Sequence, residues 1–176
     1  MYHAAFRIGA ANARSKGLLP TVARVAIALA VGIALMATIL VGTDGSKGSE
    51  AALSEGFDLA ERLGAKVLVV AVAAHVSDML GGSVYKDRLS EHLDRAHTAL
   101  DAARTMAVEA GVDAEFEVFE GDAAEEIAMI AESRDADLVV VGTRGHGGIA
   151  GSLLGSVSAD VVRRSNRPVV VVHEPR

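Results

Sequence analysis

Cysteine is absent from all 176 residues, which excludes a disulfide framework and any thiolate metal site. Tryptophan is absent too, and aromatics total 3% although 51% of the chain is hydrophobic. The core therefore has to be assembled from Ala, Val, Leu and Ile. Residues 1–43 contain no Asp or Glu, only the bases Arg7, Arg14, Lys16 and Arg24, while the remainder carries 13 basic against 23 acidic residues. An acidic globular part lacks the clustered Lys and Arg that grip a nucleic-acid backbone, so no nucleic acid is expected as a partner. Catalytic signatures are missing as well. No stretch fits the P-loop spacing G-x4-G-K-S/T or the G-x-S-x-G elbow of hydrolases. His92 and His97 stand five apart on a predicted helix, off the one-turn spacing of H-E-x-x-H. These two, with His75 and His173, read as surface or interface residues. No catalytic set and no metal-ligand set is expected.

What is present begins with length, which suits one well-buried domain and is too short for two ordinary ones. Residues 1–35 stand apart as an N-terminal extension. A basic, acid-free stretch is followed by the apolar run Val25–Leu35. Ala37–Val41 has the composition of a first core strand, and placing it in lipid would remove it from its own sheet. Only about 11 apolar residues then remain, against the ~20 needed to span a bilayer. The extension is expected to be non-essential, signal-like or anchor-like. The expected location is cytoplasmic, or membrane-anchored or exported if residues 1–35 belong to the working protein.

From residue 36 to residue 176 the chain alternates strand and helix patterns. Strands are predicted near 37–42, Lys66–Val72, Ala114–Phe119, Asp137–Val141 and Pro168–His173. The first helix carries Leu53, Phe57, Ala60 and Leu63 on one face and ends at Gly64, where a left-handed cap belongs. The stretch from Ala73 to about Lys86 reads as a loop. A long helix follows, with Leu89, Leu93, Ala96, Leu100, Ala103 and Ala107 on one face and Gly111 at its end. Asp122-x-x-Glu125 forms a capping box for the next helix, and a last helix spans about Ser156–Arg164. Five short apolar strands separated by helices predict an α/β fold, an open parallel sheet covered on both faces.

The strand Asp137–Val141 runs into Gly142-Thr143-Arg144-Gly145-His146-Gly147-Gly148, and then Gly155-Ser156 opens a helix. Such a loop can turn several backbone N–H groups toward one anion. The helix start adds unpaired donors and the positive end of its dipole. A nucleotide phosphate is the natural guest. A Rossmann G-x-G-x-x-G would follow the first strand, where Gly42-Thr43-Asp44-Gly45 stands instead.

The spacing G-x2-G-x9-G-S/T, carried by Gly142, Gly145, Gly155 and Ser156, resembles the signature of the ATP-binding branch of the universal stress protein family. Met36–Gly42 also looks like the beginning of a member. The resemblance covers Met36–Arg176 and implies a doubly wound, Rossmann-like five-stranded sheet of order 3-2-1-4-5. Ligands of such sheets bind beyond the carboxyl ends of the strands at the switch point, where the turns Gly42–Ser46 and Gly142–Gly148 would meet.

The resemblance implies ATP as cofactor, with any Mg or Mn carried on the phosphates. Asp44 is expected to contact the nucleoside, its competing reading being an Asx turn or helix cap. Gly42 and Thr43 would line the adenine side through backbone atoms, with Val72 as an apolar wall. Gly142, Thr143, Gly145, Gly155, Ser156 and Val157 would hold the phosphates, and Arg144 and His146 would reach them from the loop. The edge strand Val169–Val172 is short and apolar, which suits antiparallel pairing in a homodimer. Residues 1–35 are the alternative cover for that edge. The expected function is an ATP-binding, nucleotide-responsive regulator or sensor in stress response, acting on an unknown downstream protein. The alternative is a slow ATPase or adenylate-using enzyme on the same fold.

Overall fold

The computed structural model describes residues 37–77, 81–143, 145 and 154–174. The predicted extension, Arg144 and His146 lie outside the described residues. Thr38–Thr43 forms β1 and is buried from its second residue onward. It is an apolar run with neighbours on both sides, as a central parallel strand requires. The described strands and helices follow in strict alternation: α1 (Lys47–Leu63), β2 (Lys66–Ala74), α2 (Gly82–Ala110), β3 (Ala114–Gly121), α3 (Ala123–Ser133), β4 (Leu138–Gly142), α4 (Ser156–Arg164) and β5 (Val169–Val172). The strands make one sheet in the order β3-β2-β1-β4-β5, and every pairing is parallel. This is the doubly wound α/β sheet of order 3-2-1-4-5.

Side chains alternate between the two faces of the sheet, as the period of two demands. Ile39 and Val41 of β1, with Val67, Val69, Ala71 and Ala73 of β2, pack against Leu53 and Phe57 of α1 and against Leu100 and Ala103 of α2. Leu40, Leu68, Val70, Val139 and Val141 face the other way, onto Ile127 and Ile130 of α3 and Val161 of α4. Phe57 is 2% exposed. Replacing it with Ala would remove transfer energy and leave a cavity, typically 3–5 kcal/mol for such a change by rough analogy with other cores.

Local signals place the helix ends. Ser46 caps α1 by accepting from the Ser49 N–H, and Gly64 ends it in the left-handed conformation. Asp122 caps α3 by accepting from the Glu125 N–H, and Gly111 closes α2 at φ 68°. Three predicted boundaries shift by two residues or more. β2 continues two residues past Val72, because Ala73 and Ala74 pair with Glu120 and Gly121 of a β3 that is itself longer than expected. α2 begins at Gly82, inside the predicted loop. Its cap is Gly81, which makes no side-chain hydrogen bond, so the polar capping residue that usually marks a helix start is missing there. Among the described residues, no helix is long and apolar enough to cross a membrane.

Candidate functional site

At the carboxyl ends of β1 and β4 the chain leaves the sheet on both sides of the point where strand order reverses. β1 hands over to α1 on one side, and β4 leads through Thr143 toward α4 on the other. Two glycines allow the turns to close on each other. A Cβ on Gly142 would run into the backbone carbonyl of Gly48 in the first turn of α1. A Cβ on Gly145 would collide with Oδ2 of Asp44. At Gly142 the opposing atoms are backbone, so only hydrogen leaves room, whereas at Gly145 the Asp44 carboxylate would have to swing away.

The β1 turn is held by a hydroxyl network. Ser46 N–H donates to Asp44 Oδ1 at 3.0 Å, which makes an Asx turn. Thr43 Oγ1 donates to Ser49 Oγ at 3.2 Å and accepts from Gly45 N–H at 3.3 Å. Ser49 Oγ in turn donates to the Ser46 carbonyl at 2.9 Å. Thr43, Ser46 and Ser49 are all buried polar side chains, whereas Asp44 is exposed. The Asx-turn reading of Asp44 is therefore present, while the helix cap itself falls to Ser46.

The β4 side is clipped by Ser158. Gly155 N–H donates to the Thr143 carbonyl at 2.6 Å. Ser158 Oγ reaches that same carbonyl at 3.1 Å and the Gly155 carbonyl at 3.0 Å. Thr143 N–H is taken by the Val172 carbonyl at 2.8 Å. The segment from β4 is thereby tied to the start of α4 and the end of β5. Gly155 is the N-cap of α4 and supplies no side-chain hydrogen bond, so the first-turn N–H groups of that helix lack a side-chain partner of the usual kind.

Between these two supports lies a cleft of about 510 Å³. Gly42, Thr43 and Asp44 line it from β1, and Val72 from β2. Gly142, Thr143, Gly145, Gly155, Ser156 and Val157 line it from the β4–α4 side. Every described member of the predicted set thus meets at one cavity; Arg144 and His146 lie outside the described residues. Ala123 and Ile127 of α3 add wall that sequence reasoning missed, and so do Ser49, Ser158, Leu154, His92, Arg95 and Ala96. His92, expected at the surface or an interface, is half-buried and is among the residues that line the cleft. No group of three or more acidic or histidine side chains suited to a metal ion occurs among the described residues.

The model of the universal stress protein family matches residues 36–173. A universal stress protein of Methanocaldococcus jannaschii is 37% identical over 143 residues, covering 78% of this chain and 82% of that protein. Among solved structures, the universal stress protein UspA from Lactobacillus plantarum aligns with a TM-score of 0.68 at 26% identity, covering 77% of this chain and 97% of its own. A universal stress protein crystallised in complex with cAMP aligns with a TM-score of 0.62 at 34% identity, covering 79% and 98%. The chain belongs to the universal stress protein family.

Proposed function

We propose that this universal stress protein binds an adenine nucleotide, with ATP as its ligand, in the cleft between β1 and β4. The observation that carries the reading is the meeting of the Gly42–Asp44 turn with Gly142, Gly145, Gly155 and Ser156 around one cavity at the switch point. Each part has a chemical match. The start of α4 offers backbone N–H groups and a positive dipole end to phosphate oxygens, with the Ser156 hydroxyl beside them. Asp44 Oδ2 stands against Gly145, where the carboxylate accepts hydrogen bonds from ribose hydroxyls. Val72 and the backbone of Gly42 and Thr43 border the base. A Mg or Mn ion arrives on the phosphates rather than on protein ligands. The 34%-identical relative in complex with cAMP supports the choice of an adenine base and a phosphate.

The cleft supplies grip, and the role that follows is a cytoplasmic, nucleotide-responsive regulator in stress response. Occupancy changes the surface offered to a downstream protein. The working molecule is a homodimer joined through Val169–Val172, the edge strand of the sheet, and light scattering on the purified protein should return twice the chain mass.

The test of binding starts from protein purified without added nucleotide, denatured so that any bound small molecule is released and identified. ATP or ADP is expected from the parent and not from a Gly145→Val, Ser156→Ala variant that remains folded. A parent that releases none, and that gives no signal on titration with ATP, would remove the basis for the proposal.

A further inference from the structure

The cleft extends past the predicted residues to the end of β2, where α2 covers it with His92, Arg95 and Ala96. These stand at i, i+3 and i+4 and so share one helix face. Arg95 is ion-paired to Glu91 one turn back and its side chain is 70% exposed. His92 is different. Its Nδ1 lies 2.8 Å from the carbonyl oxygen of Ala74, the last residue of β2. A carbonyl can only accept, so the imidazole donates from Nδ1. That bond fixes both the ring and its tautomer and leaves Nε2 of the neutral ring as an acceptor, with no protein partner among the described residues. No core role explains a half-buried imidazole at this place.

On the reading of the cleft as a nucleotide site, phosphates at the start of α4 put the base toward β2. β2 is two strands from β4, about 10 Å at the usual strand spacing, which is the direction a nucleoside extends from its phosphate. We propose that His92 is a specificity-determining residue that reads the edge of the base. Its Nε2 accepts a hydrogen bond from the exocyclic amino group of a 6-aminopurine. A 6-oxopurine presents an acceptor in the same place, so two lone pairs face each other without a proton between them, and the ligand is rejected.

The experiment titrates ATP and ITP, which differ at that one group of the base edge and its ring tautomer, into the full-length chain and its His92→Phe and His92→Gln variants. In mildly alkaline buffer the parent is expected to prefer ATP by roughly tenfold or more, since sites built on a hydrogen bond discriminate against ligands that cannot make it. His92→Phe should bring the ATP-to-ITP ratio close to one while leaving the preference for ATP over adenosine unchanged. His92→Gln, whose amide oxygen still accepts, should restore part of the ratio. Long-range proton–nitrogen spectra of the parent give a readout independent of any variant's folding. The His92 Nε2 resonance should carry a lone pair in the free protein and move on addition of ATP but not of ITP. An unchanged ratio in His92→Phe, or an Nε2 resonance indifferent to ATP, overturns the role of His92 while the nucleotide site stands. A parent that binds neither nucleotide overturns the reading of the cleft itself.

Discussion

Ser158 shows how one hydroxyl can govern a loop. It is 3% exposed and lies on α4, yet its Oγ serves the carbonyls of both Thr143 and Gly155. Ser158→Ala removes that hydroxyl while the Thr143 carbonyl keeps the Gly155 N–H and the Gly155 carbonyl keeps the Ala159 N–H as donors, a loss of about 0.5–1.5 kcal/mol. Chemical denaturation should show that loss. If the cleft holds ATP as proposed, the variant should also bind it several-fold more weakly, because Thr143 and Gly155 line that cleft. Unchanged stability together with unchanged affinity would mean the clip holds nothing. Residues like this are hard to read from sequence. Gly142, Gly145, Gly155 and Ser156 announce themselves by spacing, and Asp44 by its place after β1. Ser49 and Ser158 look like ordinary helix serines until folding places them under the turns that precede their helices. His92 is set on the cleft by a contact with Ala74, and Ile127 by the packing of α3 on the opposite face of the sheet; neither contact has a local signature.

At the scale of elements, the outer side of β5 bears on assembly. The carbonyls of Pro168 and Val172 point to β4, accepting from Val139 and Thr143. Alternation along a parallel strand then turns the N–H of Val171 away from β4, toward the edge. Val171→Pro removes that outward donor without breaking the ladder to β4, a substitution edge strands can tolerate. If the dimer forms through this strand, light scattering should report a shift toward monomer, while far-ultraviolet circular dichroism stays close to that of the parent. A variant that remains dimeric would place the contact elsewhere. The elements themselves were largely legible, since apolar runs bounded by Gly64, Gly111 and Asp122 delimit them. The displaced ends of β2 and β3 and the start of α2 have a shared origin. Where β2 ends depends on how far β3 accompanies it, and where α2 starts is set by packing over the end of β2, neither of which Gly81 or Ala74 signals locally.

For the whole molecule, ligand and fold are linked by mass action. A nucleotide that binds only the folded state stabilises it by about 2.7 kcal/mol at a hundred times its dissociation constant. For a domain of this size that corresponds to a rise in midpoint of roughly 5–10 °C. Differential scanning calorimetry with saturating ATP should record such a rise in the parent and little of it in the Gly145→Val, Ser156→Ala variant. An equal rise in both would point to binding outside the cleft. The placement of a cleft at the switch point was legible too, because strand order follows from the alternating pattern together with the family resemblance. The reach of the cleft as far as α2 was not, since it depends on how a long helix lies across the sheet.

β1 is made first yet gains its second neighbour only after β2, α2, β3 and α3 have been made. Its Thr38 N–H donates to the Asp137 carboxylate 99 residues away, and the Asp137 N–H returns a bond to the Thr38 carbonyl. On the ribosome, the central strand therefore waits with one edge unpaired until β4 emerges. At roughly 5–20 residues per second this wait lasts on the order of 5–20 s. Nascent chains stalled before Leu138 would carry half of the cleft and an open apolar edge, the kind of surface that chaperones cover.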